Sequence, residues 1–313
     1  MTTHHAKVAI VGAGLIGRAW AMIFARAGWQ VALHDPAPGI AAEAEGLCAQ
    51  GLTDLAEQGL CEDPAGAARR IQAVGSLAEA VSDAALVQEN GPERLEVKQA
   101  LFAELDRLAP PGCILASSSS AIRASLFTEA LPGRARCLVA HPVNPPHLIP
   151  LVELVPAPWT DPAILTVLCA AMEGWGQAPI AVKGEVEGFI LNRLQGALLN
   201  EAWALYEAGL ASAADIDRTV SQGLGLRWAF MGPFETIDLN APGGIADYSA
   251  RLAPLYHSIA LSRRDPQPWS AGAIKAAEAE LRQALPADRL QARTDWRNRR
   301  LMALVAHLRA QPE

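Results

Sequence analysis

The sequence predicts an α/β chain, a doubly wound sheet followed by a smaller all-helical domain, and three observations predict it. Short apolar runs alternate with alanine-rich amphipathic segments as far as residue 182. A glycine-rich turn joins the first apolar run to the first helical stretch. From residue 185 onward only helical patterning continues.

Lys7 to Val11 is a short apolar run ending at Gly12, and Leu15 to Ala27 carries apolar residues at helical spacing before stopping at Gly28. Gln30 to Leu33 repeats the strand signal and ends at His34-Asp35-Pro36, where proline forces a break, completing a βαβ unit. Residues 39–73 read as helices punctuated by Gly51, Gly59 and Pro64, and Ala85 to Gln88 as a short buried strand. Glu93 to Leu108 is helical and stops at Pro110-Pro111-Gly112, after which the strand Cys113 to Ala116 runs into four serines, Ser117 to Ser120. A helix near Ala124 to Leu131 precedes the strand Cys137 to Ala140, which ends at His141. Such alternation implies a parallel sheet covered on both faces. Val143 to Pro158 holds five prolines and the apolar run Leu151 to Val155; a helix over Asp161 to Gly174 and a last strand over Ala178 to Val182 follow. Then come helices over Gly188 to Ala208, stopped by Gly209, and over Ser212 to Gly223, opened by the capping-box-like Ser212-x-x-Asp215, with two or more between Pro233 and Arg309. The boundary falls near residue 185, dividing a dinucleotide domain, 1–185, from a helical domain, 186–313.

Composition sets the outer limits. With 313 residues, 51% hydrophobic and 19% charged, the chain has the apolar surface to offset its folding entropy. Twenty-six basic against 33 acidic residues, a net −7, argues against a nucleic-acid partner and for small molecules or a second copy. Six arginines against three acids between Asp288 and Glu313 read as one face of a terminal helix or a subunit contact. Five dispersed cysteines without a C-x-x-C pair indicate neither a disulfide framework nor a metal site, and fit a reducing, cytoplasmic home. The first residues carry no export-signal pattern, and no run of about 18 apolar residues predicts a membrane span.

Gly12-Ala13-Gly14-Leu15-Ile16-Gly17 is a G-x-G-x-x-G turn between a strand and a helix, the fingerprint of a Rossmann-type dinucleotide site. Side chains at Gly12 and Gly14 would keep the backbone from a pyrophosphate, and the helix N-terminus supplies free N–H groups and partial positive charge. Asp35, at the end of the second strand, is placed to bind ribose hydroxyls and would repel a 2′-phosphate, so NAD is expected rather than NADP. The serine run and His141 both fall at carboxyl ends of predicted strands, where open sheets bind ligands; the serines also read as a flexible connector. Glu153 sits in an apolar run, where an ionised carboxylate needs a partner. Bonded to one nitrogen of His141, it would leave the other to exchange a proton with substrate. Asn192 lies on a helix, where its amide either satisfies a backbone group or holds a substrate oxygen. Arg227 follows a glycine-loosened loop and precedes Trp228 and Phe230; it reads as a surface charge or as a two-pronged clamp for a carboxylate.

In order along the chain, the glycine motif, Asp35, Glu93 to Lys98, the serines, His141-Pro-Val-Asn144-Pro, Glu153 and Gly188-Phe-Ile-Leu-Asn192-Arg193 resemble the 3-hydroxyacyl-CoA dehydrogenase family over essentially the whole length. Within it, Ile149-Pro-Leu-Val-Glu-Leu-Val-Pro156, Glu201-Ala-Trp203 and Gly223-Leu-Gly-Leu-Arg-Trp-Ala-Phe230 are most similar to the λ-crystallin and L-gulonate 3-dehydrogenase branch. The resemblance implies an NAD-dependent oxidation of a 3-hydroxy acid, with L-gulonate the leading substrate. His141 would be the general base and Glu153 its partner. Ser119 and Asn192 would hold substrate oxygens, Asn144 would support the site, and Glu93 and Lys98 would contact the cofactor. It also implies a homodimer. The four serines stand where the acyl-CoA enzymes usually have Asn-Thr-Ser-Ser, and one extra residue precedes His141, so Ser118 or Ser120 could take the role given to Ser119. Arg227-Trp228 disfavours a bulky CoA thioester. A short-chain L-3-hydroxyacyl-CoA dehydrogenase and an L-carnitine dehydrogenase are the enzymatic alternatives, and a crystallin-like NAD-binding structural protein the non-enzymatic one.

Overall fold

A computed structural model describes residues 6–263, 265 and 267–311. It opens with β1 (Lys7–Val11), α1 (Leu15–Arg26) and β2 (Gln30–His34), then α2 (Ile40–Glu57), α3 (Pro64–Arg69), β3 (Ile71–Ala73), α4 (Leu77–Val81) and β4 (Ala84–Glu89). Next come α5 (Leu95–Leu108), β5 (Ile114–Ser117), α6 (Ala124–Thr128), β6 (Cys137–Pro142), β7 (Leu151–Pro156), α7 (Pro162–Gly174) and β8 (Ala178–Ala181). The rest is helical: α8 (Leu191–Glu207), α9 (Ala213–Thr219), α10 (Gly225–Trp228), α11 (Pro233–Leu239), α12 (Gly244–Leu261), α13 (Ala271–Ala284) and α14 (Leu290–Arg309).

One sheet carries the eight strands in the order β3-β2-β1-β4-β5-β6-β7-β8. Because β1 pairs with β2 on one side and β4 on the other, the strand order reverses there, opening a crevice at the carboxyl ends of β1 and β4. The expectation of a wholly parallel sheet needs one correction. The apolar run Leu151 to Val155 lies within β7, which pairs antiparallel with β6, and β8 then runs parallel to β7. The proline-dense connection, Val143 to Pro150, is too short for the helical crossover that a parallel partner requires, so the chain returns alongside β6. Residues 71–73, read as helix end, form the short edge strand β3 on β2.

Alternate residues of the central strands serve opposite faces. Val8 and Ile10 join α1, α2 and α7 in one core, while Ala9 and Val11 join α5 and α6 in the other. In the first core Trp20 stacks on Phe24 at 5.4 Å, and Trp175 meets Phe24 and Trp29 edge-on at 4.8 and 5.1 Å.

Packing divides the chain into two compact units, Met1–Arg193 with Asn298–Glu313, and Leu194–Arg297. The sequence predicts a single boundary near residue 185. The end of α14 packs with the first unit because Met302 is buried in the core that holds Trp20, with Leu301, Val305 and Ala306 against it. In the second unit Ser212 Oγ accepts the Asp215 N–H at 3.1 Å and thereby caps α9. Among the described residues no helix is long and apolar enough to cross a membrane.

Phe24 is fully buried among three tryptophans. Phe24→Ala is expected to cost about 3–5 kcal/mol, read as a lower denaturant midpoint; an unchanged midpoint would contradict this packing.

Candidate active site

The crevice beside β1 is shaped by glycines. Gly12 has φ +93°, and a Cβ there would lie 2.8 Å from the Asn90 carbonyl; at Gly17 it would meet the Gly12 oxygen at 1.9 Å. Both are therefore fixed by close backbone approach. Gly14 differs, since nothing lies within 4 Å of its Cβ position: it borders open space at the N-terminus of α1, which no side chain caps. Leu15 is exposed and Ile16 half-buried in the first turn. The cavity beside the turn measures about 770 Å³, within the size range of small-molecule and cofactor sites, and is lined by Gly12, Gly14, Asp35, Asn90, Pro92 and Leu101 among others. Asp35 accepts the Ala13 N–H at 2.8 Å and the Ala37 N–H at 2.9 Å, so it also clamps the glycine turn while facing the cavity. The bare Gly14 edge, the open helix end and this acid fit NAD.

Deeper in the sheet, two glutamates organise the serine run. Glu89 is fully buried; its carboxylate accepts from Lys98 Nζ at 2.9 Å, Ser117 Oγ at 2.6 Å and the Gly91 N–H at 2.6 Å. Glu93 Oε1 gathers the Ser119 hydroxyl at 2.6 Å and the N–H groups of Ser120, Ala121 and Ile122 at 2.9–3.2 Å. Burial alone would raise its pKa, but the Ser119 bond, the backbone donors and Lys98 outweigh it and hold Glu93 below the ordinary carboxylate value. The serines are thus no flexible connector. Lys98, expected at the cofactor, is buried between Glu89 and Glu93, 3.6 Å from the latter.

The same geometry sets the three serines in different surroundings. Ser119 is buried with its hydroxyl on Glu93, and Ser118 bonds Trp20, Gln88 and Asn90. Ser120 is the exposed one, because successive residues at a strand end face opposite ways. Asn192 Nδ2 donates to the Ser120 carbonyl at 2.9 Å, which brings these two residues together.

His141 and Glu153 are direct partners across the antiparallel β6–β7 ladder. His141 Nδ1 and Glu153 Oε2 lie 2.8 Å apart; an ionised Glu153 can only accept, so Nδ1 is the donor, while Nε2 makes no hydrogen bond among the described residues. Glu153 Oε1 accepts the N–H groups of Ile190 and Leu191 at 2.8 and 3.0 Å, at the start of α8. Burial pushes the Glu153 carboxyl up, but His141 and the two N–H groups more than offset this and hold it below its usual range. The chain reaches α8 through Gly188 at φ +74° and Phe189 at φ +49°; Phe189 is buried with its ring 5.7 Å from that of His141. Phe189, Glu89 and Asn90 were not singled out in the sequence. Glu89 sits in an apolar strand, and that signal could have found it; nothing local marks the other two.

Asn144 is exposed beyond β6 and precedes Pro145 through a cis peptide. Arg227 belongs to the second unit and is exposed on α10. The loop expected before it is helical: Val220–Leu224 forms a π-turn, and a Cβ at Gly225 would press the Val220 carbonyl at 3.0 Å. Gly225 thus relieves a wide turn, whereas a Cβ at Gly223 would meet nothing within 4 Å.

A dinucleotide crevice and a histidine with one free nitrogen, carried on one sheet, make this an NAD-dependent oxidoreductase acting on a CH–OH group. The chain belongs to the 3-hydroxyacyl-CoA dehydrogenase family: residues 7–186 match its NAD-binding domain and 188–280 its C-terminal domain. It is 42% identical over 303 residues to the λ-crystallin homolog of Mus musculus, covering 95% of this chain and 94% of that one. To an L-carnitine dehydrogenase of Streptomyces griseus it is 42% identical over 252 residues, 79% and 74% of the two chains. A solved 5-formyl-3-hydroxy-2-methylpyridine 4-carboxylic acid 5-dehydrogenase, described as an NAD⁺-dependent dismutase, superposes with a TM-score of 0.83 at 27% identity over 98% and 99%.

Both depressed acids make stability depend on pH. Unfolding returns Glu93 and Glu153 to the ordinary value of 4.5, so their contribution is present above that pH and is lost as pH falls through their lower folded values. The melting temperature is expected to drop between about pH 5 and pH 3, with a shallower drop in Glu93→Gln and Glu153→Gln. Equal slopes in all three proteins would contradict the assignment.

Proposed function

We propose that the protein oxidises the C3 hydroxyl of a small, free 3-hydroxy carboxylic acid to the 3-keto acid, with L-gulonate the leading substrate. The carrying observation is the cross-strand pair, in which Glu153 fixes the His141 Nδ1–H and leaves Nε2 as the acceptor. NAD, when bound, supplies the acceptor for the hydride that leaves the carbinol carbon. His141 takes the hydroxyl proton on Nε2, and the Glu153 carboxylate stabilises the resulting imidazolium. The new C=O is held by donors from the Ser120 hydroxyl and the Asn192 amide, whose mutual bond keeps them adjacent. Arg227, an exposed guanidinium, clamps the substrate carboxylate in this reading. Similarity to an L-carnitine dehydrogenase supports a free acid, since carnitine is itself a 3-hydroxy carboxylate. In the same reading the protein is cytoplasmic and works as a homodimer; exposed Phe230, Phe234 and Leu239 offer apolar surface for a second copy.

A panel of L-gulonate, L-carnitine, 3-hydroxybutyrate and 3-hydroxybutyryl-CoA with NAD⁺ tests the substrate class by NADH formation. Turnover of a free acid is expected, whereas turnover of the CoA ester alone would make this a short-chain 3-hydroxyacyl-CoA dehydrogenase. His141→Gln is expected to lower kcat by about 10²–10⁴ with NAD binding kept. Ser120→Ala should cost about tenfold in kcat/KM, and Arg227→Met should raise KM for the acid far more than for NAD. Unchanged turnover in His141→Gln would remove the proposed base.

A further inference from the structure

The first unit holds a second cavity, far from the glycine turn. Arg26 ends α1, a 12-residue helix, so about 18 Å separates it from Gly14 at the other end. The cavity, about 380 Å³, is lined by Arg26, Arg70 and Arg309 together with Glu62, Asp63 and Trp175. The three arginines come from the carbonyl ends of three helices, α1, α3 and α14, which complements each helix dipole. That accounts for one cation at each end but not for their convergence on one space.

Their internal bonding is sparse. Arg26 Nη1 donates to the Leu60 carbonyl at 3.3 Å and Arg70 Nε to the Ala25 carbonyl at 2.9 Å. Among the described residues none of the three forms an ion pair with a carboxylate, although Glu62 and Asp63 border the same space. Asp63 is engaged in capping α3 through the Gly66 N–H at 2.8 Å. Burial and the charge of Arg309 lower the Arg26 pKa, and His147, largely enclosed with Nδ1 unpartnered, is pushed down to about 4 by burial and by Arg26. Arg26 and Arg70 are half-buried and Arg309 is exposed, and like charges gathered on one space are costly unless an anion completes the set.

We propose that this cavity binds a small phosphate monoester, whose dianion Arg26, Arg70 and Arg309 hold together. Guanidinium groups meet phosphate oxygens in a two-pronged geometry, and several of them suit a doubly charged head group. The volume leaves room for a short organic portion beyond the phosphate. Glu62 and Asp63 can accept from ligand hydroxyls and oppose further negative charge, which selects a hydroxylated monoester over a polyphosphate. Because Arg309 comes from the far end of the chain and Arg26 from the first helix, the ligand fastens the end of α14 to the sheet unit.

The inference is independent of the proposed reaction, and binding is its readout. The full chain, saturated with NAD so that the glycine turn does not take phosphate, is titrated calorimetrically with glycerol 3-phosphate, with glycerol and with sodium chloride at matched ionic strength. Saturable binding of the phosphate ester alone is expected, together with slower hydrogen exchange in the last turns of α14. Arg309→Gln, an exposed position, should bind at least about tenfold more weakly, a loss near 1.4 kcal/mol, with NAD affinity unchanged. Arg26→Gln should weaken binding likewise, and if it fails to fold, Arg309→Gln decides alone. No saturable heat, an equal response to chloride, or equal affinity in Arg309→Gln would overturn the proposal.

Discussion

The buried Glu153 carboxylate is the interaction on which the site depends. It lies between two strands and the start of a helix, with one oxygen on His141 and the other on two backbone N–H groups. A buried carboxylate stripped of such partners costs several kcal/mol, so the three elements hold one another in place. Antiparallel return of β7 sets Glu153 opposite His141, and the positive-φ turn at Gly188 and Phe189 aims the next N–H groups at the free oxygen. Phe189 then fills the space against the imidazole. The orientation of the His141 ring and the entry of α8 are thus consequences of a single charge.

The cofactor side is built by the same logic with other acids. Asp35 ties the glycine turn to the end of β2, and Glu89 ties Lys98 on α5 to Ser117 on β5 and to the loop at Gly91. Glu93 collects the following turn and leaves Ser120 at the open side. Three carboxylates therefore shape the crevice from below by fixing backbone N–H groups, while its wall stays largely apolar. The net negative charge of the chain is no obstacle to an anionic cofactor or substrate, because small anions respond to local donors such as the first turn of α1.

How much of this the sequence showed depends on how local each signal was. The glycine turn and Asp35 sit within one βαβ unit, where short-range spacing carries the geometry, and both were legible. His141 and Glu153 were legible as a pair through chemistry, since an acid in an apolar run demands a partner. Their register was not, because β7 lies behind a proline-dense connection and its direction depends on its ladder partner. Which serine faces the crevice was not legible: a one-residue step at a strand end exchanges an inward for an outward side chain, and only the Glu93 contact distinguishes buried Ser119 from exposed Ser120. The loop expected before Arg227 is a π-turn instead, because Gly223 and Gly225 suggest a loop locally while Gly225 packs against the Val220 carbonyl. The return of α14 to the first unit rests on Met302 and its neighbours, long-range packing that no local pattern reveals.

The central claim is that Glu153 fixes the tautomer of His141, and nitrogen-15 NMR of the imidazole in the neutral-ring state tests it directly. The account predicts a protonated Nδ1 coupled to its hydrogen and a bare, pyridine-like Nε2. A ring protonated at Nε2 with a bare Nδ1 would set a lone pair against the Glu153 carboxylate and contradict the account.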